Sequence, residues 1–201
     1  MSLLEDVALA SCFLFAAVFL GTAASYLGGQ RDLGHYRASA GRVFVNLVLV
    51  ELSIVAVCSF RATVNPWWEH DALWMFVTFF LVVDALAWAG HWLMHTHPHL
   101  IPLHAGVHHA QREPYGPDQF FQHPLDNLVT FTLPGALTFS FVPMSLPLAS
   151  YAFAVAVLCN ILAHGPFGWE HRQHHLGEPV SLGGGVWFDW LMGTSKDSFA
   201  S

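Results

Sequence analysis

The residues best suited to chemistry in this chain are its histidines. There are fourteen, against seven lysines and arginines together. Only His35 and His70 precede residue 91, and the others crowd between His91 and His175. Imidazole is the commonest protein ligand for transition metals, and two on a helix at i and i+3 or i+4 project from one face, as a shared ion requires. That spacing recurs three times. His91 and His95 are four apart. His104 and His108 are four apart with His109 adjacent, and His171, His174 and His175 give separations of three and four. These eight histidines suffice for two metal ions. His164, seven residues ahead of His171, is a ninth candidate ligand, and His123 a further one. His97 and His99 flank Pro98, where a helix breaks, and read as a solvated loop. His35 and His70 stand alone and read as interfacial polar residues.

Asp84 adds a second argument, because an ionisable side chain within an apolar stretch is costly and marks a functional position. It precedes His91 by seven residues and His95 by eleven. At about 100° per residue these offsets come to about −20° and +20°, so the three share one helical face. A carboxylate there is placed to accept the ring N–H of a ligating histidine and fix its tautomer, or else to pair with another helix. Asn160, one turn before His164, suits either a similar part or helix packing. The three cysteines, Cys12, Cys58 and Cys159, fall in apolar runs away from the histidine clusters. They read as inert, and they disfavour thiolate zinc and iron–sulfur sites. An all-imidazole site suits iron, copper, zinc or nickel, and the residues alone do not choose among them.

The elements that must position these residues lie in lipid. Of 201 residues 54% are apolar and only 10% charged, whereas soluble domains carry roughly 25% charged residues. A formal charge of −7 lacks the positive stripe that a phosphate backbone demands, which argues against nucleic acid as a partner. Runs long enough to span a hydrocarbon core of about 30 Å are Val7–Gly28, Val43–Cys58 and Leu73–Met94. A fourth apolar region, Leu128–His164, is interrupted by Pro143 and Pro147, and so predicts two shorter segments, about 128–142 and 147–164, in a hairpin. No basic residue precedes the first run, so it reads as a retained anchor rather than a cleaved signal. Interfacial Trp67 and Trp68 fit the short connection beside Arg61, Glu69 and Asp71. Arg31, Arg37, Arg42, Arg112, Arg172 and Lys196 then share one face. Because basic loops stay cytoplasmic, the histidine-rich loop and tail are expected at the cytosolic surface. The expected fold is an all-α integral membrane protein with about three full spans plus a helical hairpin and a cytosolic, histidine-rich helical cap. Residues 1–72 form an N-terminal transmembrane region, and 73–201 the region that carries the chemistry.

From Asp84 to Thr194 the chain resembles the fatty acid hydroxylase superfamily, also called the sterol desaturase type, of membrane-bound di-iron oxygenases. Asp84 with His91-x-x-x-His95 resembles the family's first box, His104-Ala-Gly-Val-His108-His109 its second, and His171-Arg-Gln-His174-His175 its third. His123-Pro124-Leu125-Asp126 is similar to the family's His-Pro-Leu-acidic segment. Trp187-Phe188-Asp189-Trp190-Leu191-Met192-Gly193-Thr194 resembles its closing aromatic-Asp-x-Leu-x-Gly-Thr signature. The second box has three residues between its first histidine and the pair, where the family usually has two. His164 stands closer to the third box than the family's intervening histidine commonly does, and residues 1–72 carry no family motif.

The resemblance implies a di-iron centre held by eight or more histidines, above a substrate channel that opens into the bilayer. It implies insertion of oxygen into, or desaturation of, an unactivated C–H position of a lipid, using dioxygen and two electrons. The chain has no flavin, nicotinamide or iron–sulfur fingerprint, so a separate reductase or electron carrier is an expected partner. Trp88, Trp92, Phe120 and Phe121 are candidates to line the substrate route. Two other readings compete: a membrane metal transporter or metal-storage protein, and a zinc hydrolase with Glu170 beside His171 as base. A transporter should place ionisable residues in several spans, and after the first few residues Glu51 and Asp84 are the only carboxylates in the candidate spans.

Overall fold

The computed structural model describes residues 3–64, 72–142, 144–165, 169–177, 182 and 186–195. Pro66, Trp67, Trp68, Glu69, His70, Asp71, Pro143 and Lys196 lie outside these residues, as do the side chains of Arg61 and Glu170. Among the described residues the chain is helical, with no strand. In order come α1 (Leu3–Leu27), α2 (Leu33–Val64), α3 (Ala72–Thr96), α4 (Ile101–Ala105), a 3-10 helix (Gly116–Phe120), α5 (Pro124–Asn127), a π-helical turn (Leu128–Thr132), α6 (Leu133–Phe141), α7 (Leu146–His164), α8 (Trp169–His175) and α9 (Val186–Met192).

Four segments are long and apolar enough to cross a membrane: Leu3–Leu27, Leu33–Phe60, Leu73–Thr96 and Leu146–His164. The second extends ten residues ahead of its expected start at Val43, because His35 to Arg42 continue the helix past its apolar window. Both limbs of the expected hairpin are helical: α5, the π turn and α6 run on from one another as far as Phe141, and α7 follows from Leu146. Its first limb starts at Pro124 rather than 128. Proline suits a first helical position, and the His123 ring accepts the Leu125 N–H at 3.2 Å as a cap.

Small residues set how closely the spans approach. Ala10, Leu14, Ala17, Gly21 and Ser25 form the buried stripe of α1. A Cβ on Gly21 would lie 2.5 Å from Cγ2 of Ile161, so the hydrogen there lets α1 sit directly on α7. Gly90 does the same for α3: a Cβ would meet the Val129 carbonyl oxygen at 2.4 Å. That contact places the helix carrying His91 and His95 against the π turn. Gln30 donates to the Pro114 carbonyl and accepts the Gly116 N–H, so the α1–α2 turn lies at the same end of the molecule as the histidines.

Two cysteines differ from expectation. Cys58 is buried and packs in the core, but Cys12 and Cys159 are exposed, their helices facing outward where lipid would lie. Glu51 reaches across the first two helices to accept the Ser11 hydroxyl at 2.7 Å.

Candidate metal centre

All nine sequence-predicted ligands converge at one end of the bundle. They fall into two groups, each with its ligand atoms within 4.8 Å of one another. His91, His95, His104, His109 and His174 form the first; His108, His164, His171 and His175 form the second. Two of the three sequence clusters are thus divided between the groups, His104 and His108 falling in different ones, as do His174 and His175, while His91 and His95 stay together. The groups adjoin, the ring of His109 stacking on that of His175 at 5.0 Å.

The geometry within each group is that of a coordination shell. Nitrogens about 2.1 Å from one metal ion lie about 3.0 Å apart when adjacent at right angles, and about 4.2 Å apart when opposite. In the first group the Nε2–Nε2 distances are 2.9 Å for His91–His104, 3.0 Å for His91–His174, 3.1 Å for His95–His174 and 3.0 Å for His104–His109. In the second they are 2.9 Å for His164–His171 and 3.3 Å for His108–His164.

Proton placement decides what these short contacts are. The Nδ1 of His91 is 2.7 Å from the Leu182 carbonyl oxygen, and that of His164 is 2.9 Å from the Asn160 carbonyl. A carbonyl only accepts, so Nδ1 carries the proton and Nε2 of each neutral ring presents a bare lone pair. The Nδ1 of His104 lies 2.8 Å from Oδ2 of buried Asp126, and that of His108 points at the Phe121 carbonyl at 3.4 Å. Each ring is therefore held from behind while its Nε2 faces other Nε2 atoms. Lone pair against lone pair at 2.9 Å is repulsive unless a cation stands between them, and this backing of ligand imidazoles by carbonyl or carboxylate is the usual construction of a metal site. The residues fit two imidazole-bound ions.

Burial keeps the rings in the ligating form. It pushes His104, His108, His174 and His175 below the ordinary imidazole range, and His109 down to about 3, with neighbouring imidazoles adding to the effect. Burial also pushes the Asp126 carboxyl up to about 8.

Several side chains serve otherwise than expected. Asp84 takes the second of its two expected parts, accepting the backbone N–H of Phe188 at 3.0 Å and bracing α9 against α3, while the His91 ring proton goes to the Leu182 carbonyl. Asn160 backs His164 through its main-chain carbonyl, its side chain donating to Ala156. His123 belongs to neither group, and His97 and His99 are exposed, in keeping with a loop. His35 is no mere interfacial residue, since its Nε2 is 2.6 Å from Oδ2 of buried Asp118, joining α2 to the 3-10 helix.

Other parts of the site, Asn160 apart, carry no signal in the sequence pattern. Gln119, Gln122, Thr130 and Asn160 line the space beside the histidines together with His91, His104, His108, His164 and His171. Next to it lies an apolar cavity of ≈ 250 Å³, walled chiefly by Phe80, Val83, Phe131, Phe153, Ala156 and Trp187. Ala87, Thr130 and Asn160 line both spaces, so the cavity abuts the histidine groups. Trp88, Trp92, Phe120 and Phe121 lie elsewhere: Trp88 donates to Thr194 and stacks on Trp92, Phe120 is in the core, and Phe121 lies under Arg42.

No protein-family model matches this chain, and neither a curated protein nor a solved structure is found similar to it.

Proposed function

We propose that this chain is a membrane-bound di-iron oxygenase that hydroxylates, or desaturates, an unactivated C–H position of a lipid. The observation that carries the reading is the juxtaposition of two all-imidazole groups with an apolar cavity. Metal storage would need the first and has no use for the second. The motif resemblance supplies iron as the metal, and two bound irons would supply activation of dioxygen with two electrons from a separate reductase or carrier. The protein's own part is positional. Phe80, Phe131 and Phe153 would hold an alkyl chain by burial alone, with its reacting carbon brought towards Thr130 and Asn160 at the junction of the two spaces. The bundle keeps bulk water from that junction, His91, His104, His108 and His164 being nearly fully buried. Gln119 and Gln122 offer hydrogen-bonding groups in the same space.

Elemental analysis of protein purified in detergent without a chelating tag tests the reading. About two irons per chain are expected from the two groups, followed by oxygen-dependent appearance of a hydroxylated or unsaturated lipid on addition of an electron donor. Folded protein that takes up no iron under reconstitution would overturn it. Iron-loaded protein that exchanges metal across a membrane and oxidises no lipid would favour the transporter.

A further inference from the structure

Helix α9 is built inside out for a helix in water. Trp187, Trp190, Leu191 and Met192 are 68%, 70%, 66% and 48% exposed, while Asp189, the only charged residue of the helix, is 2% exposed. Asp189 Oδ1 accepts the Leu182 N–H at 2.8 Å and the Thr194 hydroxyl. A polar inner face and an apolar outer face fit a helix whose outer solvent is hydrocarbon.

The attachment points of α9 give its depth. Phe188 is held by Asp84, and its ring packs on Trp88 at 5.4 Å. Both partners lie within the candidate span Leu73–Thr96. Asp84 is twelve residues from the span's end at Thr96, or about 18 Å at about 1.5 Å per residue. The outer face of α9 continues the exposed apolar face of α3 at Trp92 and Leu93. Trp187 also forms part of the wall of the apolar cavity.

We infer that α9 lies in the bilayer, within the leaflet on the histidine side, with Trp187, Trp190 and Leu191 in contact with acyl chains, so that Trp187 stands between the cavity and the lipid. The bilayer is the partner that covers this face. Its buried side ties the helix to the metal site: Asp189 holds the Leu182 peptide whose carbonyl backs His91. The inference rests on the oxygenase reading only in making the lipid that enters beside Trp187 a substrate.

Nitroxide labels on the full chain in nanodiscs test it. Trp187→Cys, Trp190→Cys and Leu191→Cys, each with Cys12→Ser, Cys58→Ala and Cys159→Ala, are compared with His99→Cys on the exposed loop. The expected result is relaxation by dissolved oxygen over that by aqueous chromium oxalate several-fold higher at the three α9 positions than at 99. Equal ratios at all four positions would overturn the inference. Should the cysteine-free chain fail to fold, the native chain in dibrominated lipid gives the same answer through Trp190→Phe. A quenched share of emission that this variant removes supports bilayer contact, and identical emission from that share in brominated and ordinary lipid overturns it. Neither readout needs iron or turnover. Lipid contact in a chain without iron would sink the oxygenase reading alone, whereas a water-exposed α9 in active, iron-loaded protein would sink this inference alone.

Discussion

The Nε2 atoms of His91 and His104 stand 2.9 Å apart, with the His91 ring proton directed away from the gap and the far nitrogen of His104 against Asp126. That contact brings His104 into the five-histidine group despite its extra residue of spacing from the 108–109 pair, and it makes Asp126 the most informative residue behind the site. Removing a carboxylate that orients a ligand imidazole lowers metal affinity by about 10- to 100-fold. Asp126→Leu is therefore expected to weaken the five-histidine group by that factor in a chelator competition while the four-histidine group keeps its ion. His174→Ala should remove one ion per chain outright, and His99→Ala neither. A pH effect follows from the same burial. His109 is held down to about 3 and its neighbours His104, His108, His174 and His175 are lowered too, whereas unfolded imidazoles titrate near about 6.5. Between those values the unfolded chain binds more protons at these histidines than the folded one, so their contribution to stability is full above about pH 6.5 and falls as pH drops towards 3, while Asp126, raised to about 8, works in the opposite sense between about pH 4 and that value. Chelator-stripped protein should accordingly show a falling Tm from about pH 8 to about pH 5, and bound metal should flatten the slope. A Tm independent of pH would contradict the neutral, proton-excluding cluster.

At the scale of the element, the close approach of α3 to the π turn fixes where His91 and His95 begin. Gly90→Ala would thrust a methyl into the Val129 carbonyl, whose backbone cannot yield as a side-chain end can. Overpacking of this kind costs about 1–3 kcal/mol, so a lowered Tm is expected together with weakened metal uptake by the five-histidine group. An unchanged Tm and full metal would show that α3 slides freely on its neighbour. This element also shows what was legible in the sequence. Helical spacing fixes which histidines share a face, so eight of the nine histidines that gather at the site stand out by their intervals. Their partition between two ions does not, because it depends on how α4 and α8 dock against α3 and α7. The groups behind the rings were equally hidden, since the carbonyls of Leu182, Asn160 and Phe121 belong to the main chain and leave no mark in residue type. For Asp84 the helical wheel gave the face, and of the two parts open to it, backing a histidine or pairing with another helix, the structure shows the second, with α9 bonded to it through Phe188.

Over the whole molecule, charge and histidine lie at the same end. Arg42 sits over the Phe121 ring, Gln30 and His35 meet the 114–118 segment, and Arg112 and Arg172 flank ligand histidines in the chain. The first two helices, which carry no motif, thereby reach the site. Asn46 donates to the carbonyls of Phe120 and Gln122, on either side of the carbonyl that faces His108. Because basic ends stay in the cytoplasm when a chain inserts, the proposed orientation puts the histidine end on the cytosolic side, where the proposed electron carrier would meet it. His99→Cys, on the exposed loop at that end, should then resist a membrane-impermeant maleimide in intact cells and react once the cells are opened. Cys12 and Cys159, both exposed within apolar stretches, are replaced by Ser and Ala so that they do not contribute. Labelling of position 99 in intact cells would invert the topology, separate the site from cytosolic reductants and require an electron donor on the outer face instead.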